Sequence, residues 1–148
     1  MNHPYSRIVV GIDGSDASID ALRWALHQAQ LTNSALEAVT SWHNPMGYVA
    51  EFAAEEVHWD VVASRNLDDT LAKVEPGDLE IKRTVSQGHP AEVLTDASTN
   101  ADLLVVGSRG HGGFVGMLLG SVSVHVSAHA HCPVVVVRHH DGQPSGSQ

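Results

Sequence analysis

The chain has 148 residues and carries 17 Asp and Glu against 8 Lys and Arg, a formal net charge of -9. That balance offers little to a nucleic acid or an anionic membrane surface, although eleven histidines can shrink it below neutral pH. With 43% apolar and 17% charged residues the composition is that of one soluble globular domain, large enough to bury a core.

The first residues, "MNHPYSRIVVG", lack a basic head followed by a long apolar run, so they do not read as a signal peptide. "RIVVGID" is a β-branched run that enters a turn at Gly-Ile-Asp-Gly and predicts a buried first strand. From Ser15 the period becomes helical: Ile19, Leu22, Leu26 and Ala29 share a face, and Ser15 or Asp16 can cap the start. Ala35–Trp42 predicts a second strand, "HNPMGY" a loop, and about Ala50 to Val74 a long helix that "EPGD" stops. "LEIKRTVS" alternates and predicts a more exposed strand. "QGHP" is a turn, with Pro90 suited to the first position of a helix through about Thr99. "ADLLVVG" is almost purely apolar and predicts a central strand. A glycine-rich segment follows, then a helix from Ser121 to about His129, a break at "HCP", and a last strand "VVVVR". No run approaches a membrane-spanning length. Residues 1–140 read as a single domain, and 141–148, "DGQPSGSQ", as a disordered tail. One cysteine, Cys132, excludes an intrachain disulfide and fits a reducing cytoplasm; it reads as a small buried residue.

Strand and helix alternate throughout, which predicts an α/β fold: a doubly wound parallel sheet with helices on both faces. Ligands of such sheets lie beyond the carboxyl ends of the strands, where the strand order reverses. Two strands end there in glycine turns, "VVGIDGS" and "VVGSRGHGG". The second opens a stretch with six glycines from Gly107 to Gly120, and Arg109 within it is the only Lys or Arg between Arg83 and Arg138. Successive amides of a glycine turn can converge on an anion, and a helix opened by Gly120-Ser121 adds unpaired N–H groups and a favourable dipole. A lone cation in that setting suits a phosphate. The bland alternative is a flexible loop with a capped helix and a surface arginine. Walker A, G-x-G-x-x-G and G-x-S-x-G patterns are absent from the ordered part of the chain.

Gly107-x-x-Gly110, nine residues, then Gly120-Ser121 resembles the G-2x-G-9x-G-S/T signature of the ATP-binding branch of the universal stress protein family. "RIVVGIDGSDAS", "ADLLVVGSRGHGG" and "CPVVVV" are similar to that family's first, fourth and fifth strands with their turns, and the likeness runs from about Arg7 to Arg138. The resemblance implies a five-stranded sheet of order 3-2-1-4-5, of the adenine nucleotide alpha hydrolase-like kind, with an adenine nucleotide between strands one and four. It implies ATP, with Mg²⁺ or without, and leaves AMP or cyclic AMP open. Carried over by position, Gly11, Asp13, Gly14 and Ser15 lie near adenine and ribose, and Val39 offers backbone contacts to the base. Gly107, Ser108, Arg109, Gly110, His111, Gly112 and Gly113 wrap ribose and phosphates, and Gly120, Ser121, Val122 and Ser123 hold phosphate. It also implies a homodimer through the last strand, Val134–Val137, and a cytoplasmic nucleotide-sensing or sequestering stress-response protein that is not an enzyme. A slow ATPase or phosphotransferase is the alternative, against which the loop lacks a lysine and an evident general base.

Asp13 also has a bland role, an Asx-turn or cap before the first helix. His111 serves phosphate or is simply an exposed loop residue. His125 and His129, four apart, can be a metal pair or a polar helix face; without carboxylates or cysteines at ligand spacing, no metal site is expected. "EFAAEEVHWD" reads as a helix surface with Phe52 and Trp59 packing inward.

Overall fold

A computed structural model describes residues 6–44, 57–110 and 119–139. Five parallel strands form one sheet in the order β3-β2-β1-β4-β5: β1 Arg7–Gly11, β2 Ala35–Trp42, β3 Ile81–Gln87, β4 Leu103–Gly107 and β5 Val134–Val137. The helices are α1 Asp16–Thr32, α2 Trp59–Leu71, α3 Pro90–Ala97 and α4 Ser121–His129.

Alternation along the strands splits the core in two. Ile8 and Val10 of β1, Leu36 and Ala38 of β2 and Val105 of β4 pack with Leu22, Leu26 and Ala29 of α1 and Leu67 of α2. Val9, Val39, Leu104 and Val106 point the other way and pack with Leu94 of α3 and Val126 of α4. Helices therefore cover both faces, and a strand buried on both sides must be apolar at every position, as "IVV" and "LLVV" are. The α1 stripe predicted at Ile19, Leu22, Leu26 and Ala29 is buried throughout. Each large side chain so buried contributes roughly 1.5–3 kcal/mol.

Several boundaries move. β1 ends at Gly11 and not at Asp13, although the Ile12 N–H still reaches Val39 O at 2.9 Å. α2 begins at Trp59, and the predicted stretch before residue 57, Phe52 included, lies outside the described residues. It ends at Leu71, three residues short of Val74, where the chain tightens into turns before Pro76. α3 stops at Ala97, and Ser98–Asn100 continue as a single 3₁₀ turn. Cys132 is half-buried, where a buried position was expected; burial, then the nearby Asp102 charge, pushes its thiol upward against the pull of Arg7, so it stays a neutral thiol. The tail 141–148 lies outside the described residues, and no helix among those described is long and apolar enough to cross a membrane.

One charged group is buried among the described residues, on the face of the second core. Glu37 is 5% exposed on β2. Arg7 of β1 donates to its Oε1 through Nε at 2.9 Å and also through Nη2, and Thr84 of β3 donates to Oε2 at 2.6 Å. Burial alone would raise this carboxyl. The Thr84 and Arg7 hydrogen bonds, with the charges of Arg7 and Lys82, outweigh it and hold Glu37 below the ordinary carboxylate value. A group lowered on folding stabilises the fold above its unfolded value and loses that contribution as pH falls through the folded one. Glu37→Gln should therefore cost about 1–3 kcal/mol at pH 7, and the gap to the unaltered chain should close below about pH 4.5 in denaturant titrations.

Candidate functional site

Both glycine turns emerge at the carboxyl ends of β1 and β4, which are neighbours at the point where strand order reverses. After β1 the chain makes a tight turn with Gly14 at φ +83°. Asp13 Oδ1 accepts the Ser15 N–H at 2.9 Å and the Ser15 hydroxyl at 2.5 Å. Ser15 Oγ in turn accepts the Ser18 N–H at 3.2 Å and caps α1. The Asx-turn expected of Asp13 as its bland role is thus present. It aims a carboxylate with one oxygen engaged in its own turn.

After β4, Gly107 lies against α1. A Cβ there would stand 2.7 Å from the Ala17 carbonyl carbon and 2.8 Å from its oxygen. Its first role is to let helix and strand close. At Gly110 a Cβ would collide with Asp13 Oδ2, so this glycine is what lets the two turns meet. Gly120 closes the far side: its N–H donates to Ser108 O at 2.6 Å, and a Cβ would press on Arg109 Cα at 3.3 Å. Ser123 Oγ lies 2.9 Å from Ser108 O and from Gly120 O. α4 thus begins against the β4 turn, with Gly120 as its N-cap and no side-chain cap.

Around this junction opens a cleft of about 970 Å³. Gly11, Asp13, Ser15, Val39, Gly107, Arg109, Gly110, Gly120, Ser121, Val122 and Ser123 all line it. Gly14 and Ser108 do not; Ser108 is buried beneath the turn at 3% exposure. The Val39 carbonyl accepts from Ile12, and the Ser123 hydroxyl is turned inward to backbone. His111, Gly112 and Gly113 lie outside the described residues. The sequence reading missed His43, His89, Pro90, Val93, Leu94 and Thr40, which also line the cleft. Thr40 Oγ1 donates to Ile12 O at 2.7 Å and ties β2 to the first turn. The available signal was position: His43 and His89 stand just past β2 and β3, at the same end of the sheet.

His125 and His129 face the cleft from α4 with rings 4.5 Å apart. Among the described residues no group of three or more His, Cys, Asp or Glu is placed to hold a metal. Arg109 is the one Lys or Arg and Asp13 the one carboxylate among the described cleft residues. The arrangement therefore offers amides, one cation and a helix start to an anion, and apolar walls to whatever the anion carries.

The two turn glycines separate by substitution. Gly107→Ala meets fixed backbone and should lower stability by about 1–3 kcal/mol. Gly110→Ala meets a movable carboxylate, so its thermal midpoint should shift less than that of Gly107→Ala in parallel melts.

The family model for the universal stress protein family matches residues 4–138. Universal stress protein Rv2623 of Mycobacterium tuberculosis is 37% identical over 145 residues, covering 93% of this chain and 47% of that protein. The chain thus spans about half the length of the curated relatives it matches. UspA from Lactobacillus plantarum superposes with a TM-score of 0.69 at 25% identity, over 93% of this chain and all of that one. A universal stress protein solved in complex with cAMP superposes at 0.63 and 30% identity, over 90% of this chain and 96% of that one. With a glycine-lined cleft at the switch point of a 3-2-1-4-5 sheet, and with these matches over nearly its whole length, the chain belongs to the universal stress protein family.

Proposed function

We propose that this chain binds an adenine nucleotide in the cleft, ATP foremost with AMP or cyclic AMP as alternatives, and acts by holding it as a nucleotide-sensing or sequestering stress-response protein of the cytoplasm. The observation that carries the reading is the meeting of Asp13, Arg109, Gly110 and the start of α4, which has no side-chain cap, in one cleft. Phosphate suits the amides and the guanidinium, and ribose hydroxyls suit the Asp13 carboxylate. The relative that holds cAMP supports the ligand class.

Holding is favoured over hydrolysis by the cleft's own groups. Among its described residues Arg109 is the one Lys or Arg and Asp13 the one carboxylate, so no lysine and no second acid stands there to serve phosphoryl transfer.

Calorimetry on nucleotide-free protein should show ATP, AMP or cyclic AMP binding, weakened at least about tenfold when Gly110→Ala and Gly120→Ala are combined. No binding by the unaltered chain, or equal binding by both proteins, refutes the reading.

The same proposal includes a homodimer through β5. This strand is the edge of the sheet, and its four valines are all partly exposed. Pro133 and Val137 turn their carbonyls to the N–H groups of Leu104 in β4 and of Ser108 just after it. Backbone polarity alternates, so Val136 turns its N–H to the open edge. Val136→Pro removes that donor while sparing the β4–β5 ladder. Sedimentation equilibrium should show a dimer for the unaltered chain and a folded monomer for the variant.

A further inference from the structure

The cleft is zoned. Arg109, Gly110 and the start of α4 stand at the β4 end, Leu94 lies against Gly11 of β1, and Val39, Val93, His43 and His89 stand at the β2–β3 end. Strands lie about 4.8 Å apart, so β4 is roughly 10 Å from β2 and 14 Å from β3. A nucleotide whose phosphate takes the cationic end must lay its base toward the other.

Two flat rings wait there. The imidazoles of His43 and His89 stack with centroids 5.9 Å apart and planes 26° from parallel. Register explains the pairing: Trp42 and Gln87 are partners at the ends of β2 and β3, and Gly88 N–H donates to Trp42 O at 2.8 Å. His89 is also fixed from behind. It is the N-cap of α3, and its Nδ1 accepts the Ala91 N–H at 3.4 Å, which leaves Nε2 to carry the ring proton in the neutral form. The rings are too close to admit a base between them, so the stacked pair offers the cleft an outer ring face and ring edges, one of which carries an N–H donor.

We infer that His43 and His89 form a platform that receives the nucleobase, giving the cleft a preference for a purine over a bare sugar phosphate. Neither helix capping nor strand register requires a second imidazole at 43. Purines present both a broad π-face and ring-nitrogen acceptors, which match the two features of the platform.

The inference rests on the nucleotide reading, and its test separates the two. AMP and ribose 5-phosphate are titrated calorimetrically into the unaltered chain, His43→Ala and His89→Asn; asparagine keeps an N-cap acceptor for α3. Thermal melts confirm that each variant is folded. The expected result is AMP affinity about five- to thirtyfold lower in each variant, with ribose 5-phosphate affinity unchanged. If AMP binds all three proteins equally, or both ligands weaken alike, the platform is overturned while nucleotide binding stands. If the unaltered chain binds neither ligand, the platform is overturned, and if it binds neither ATP nor cyclic AMP either, the nucleotide reading falls as well.

Discussion

The Ser108 carbonyl is the point on which the site depends. It accepts the Gly120 N–H at 2.6 Å and has Ser123 Oγ within 2.9 Å, so the start of α4 is tied to the turn after β4. The N–H of the same residue donates to Val137 O at 2.8 Å and fixes the end of β5. Its hydroxyl lies 3.5 Å from the His139 N–H, and the His139 ring pairs with Asp20 of α1 at 2.6 Å. One buried serine therefore joins β4, β5 and α4, with α1 reached through His139. Leaving such buried groups unpaired costs about 1–3 kcal/mol each, so the junction holds as a unit.

This changes how the glycine spacing is understood. Gly107 admits the Ala17 backbone, Gly110 admits the Asp13 carboxylate, and Gly120 admits Arg109 and Gly110. Three of the spaced glycines are needed for two turns and a helix start to pass within contact, whether or not a ligand is bound. Amides held in that geometry are already arranged for an anion, and a preorganised site does not spend binding energy on ordering itself. Packing and ligand roles are then consequences of one close crossing, and neither excludes the other.

The architecture could be read from the chain because its signals are local. Apolar runs such as "LLVV" and the Ile19–Ala29 stripe declare burial by period, and the Gly107–Ser121 spacing carried the sheet order through family likeness. Boundaries were harder: whether α2 ends at Leu71 or Val74 turns on a few weak hydrogen bonds near Pro76. Polar core contacts were not readable at all. Glu37 in "ALEAVTSW" looks like an exposed alternate position, and only the parallel register brings Arg7 and Thr84 to it. His43 and His89 escaped for the same reason, since 46 residues separate two rings that pair only when β2 and β3 do. The residues found first were those whose spacing along the chain matches their spacing in space.

A formal charge of -9 and a proposed anion site are reconciled by distance. Exposed charges act over about 8–10 Å in physiological salt, so of the acids only near ones such as Asp16 and Glu92, in the first turns of α1 and α3, bear on the cleft. Glu37, near the opposite ends of the strands, is neutralised by its own Arg7. Within the cleft the balance is local: Arg109 offsets Asp13, and the remaining polarity comes from amides and the α4 start, which carry no formal charge but present their positive ends. Such a site attracts an anion at contact and not at a distance. The net negative charge then works against non-specific polyanions, whose many phosphates must all approach an acidic chain, and leaves the proposed small anion to contacts made at short range.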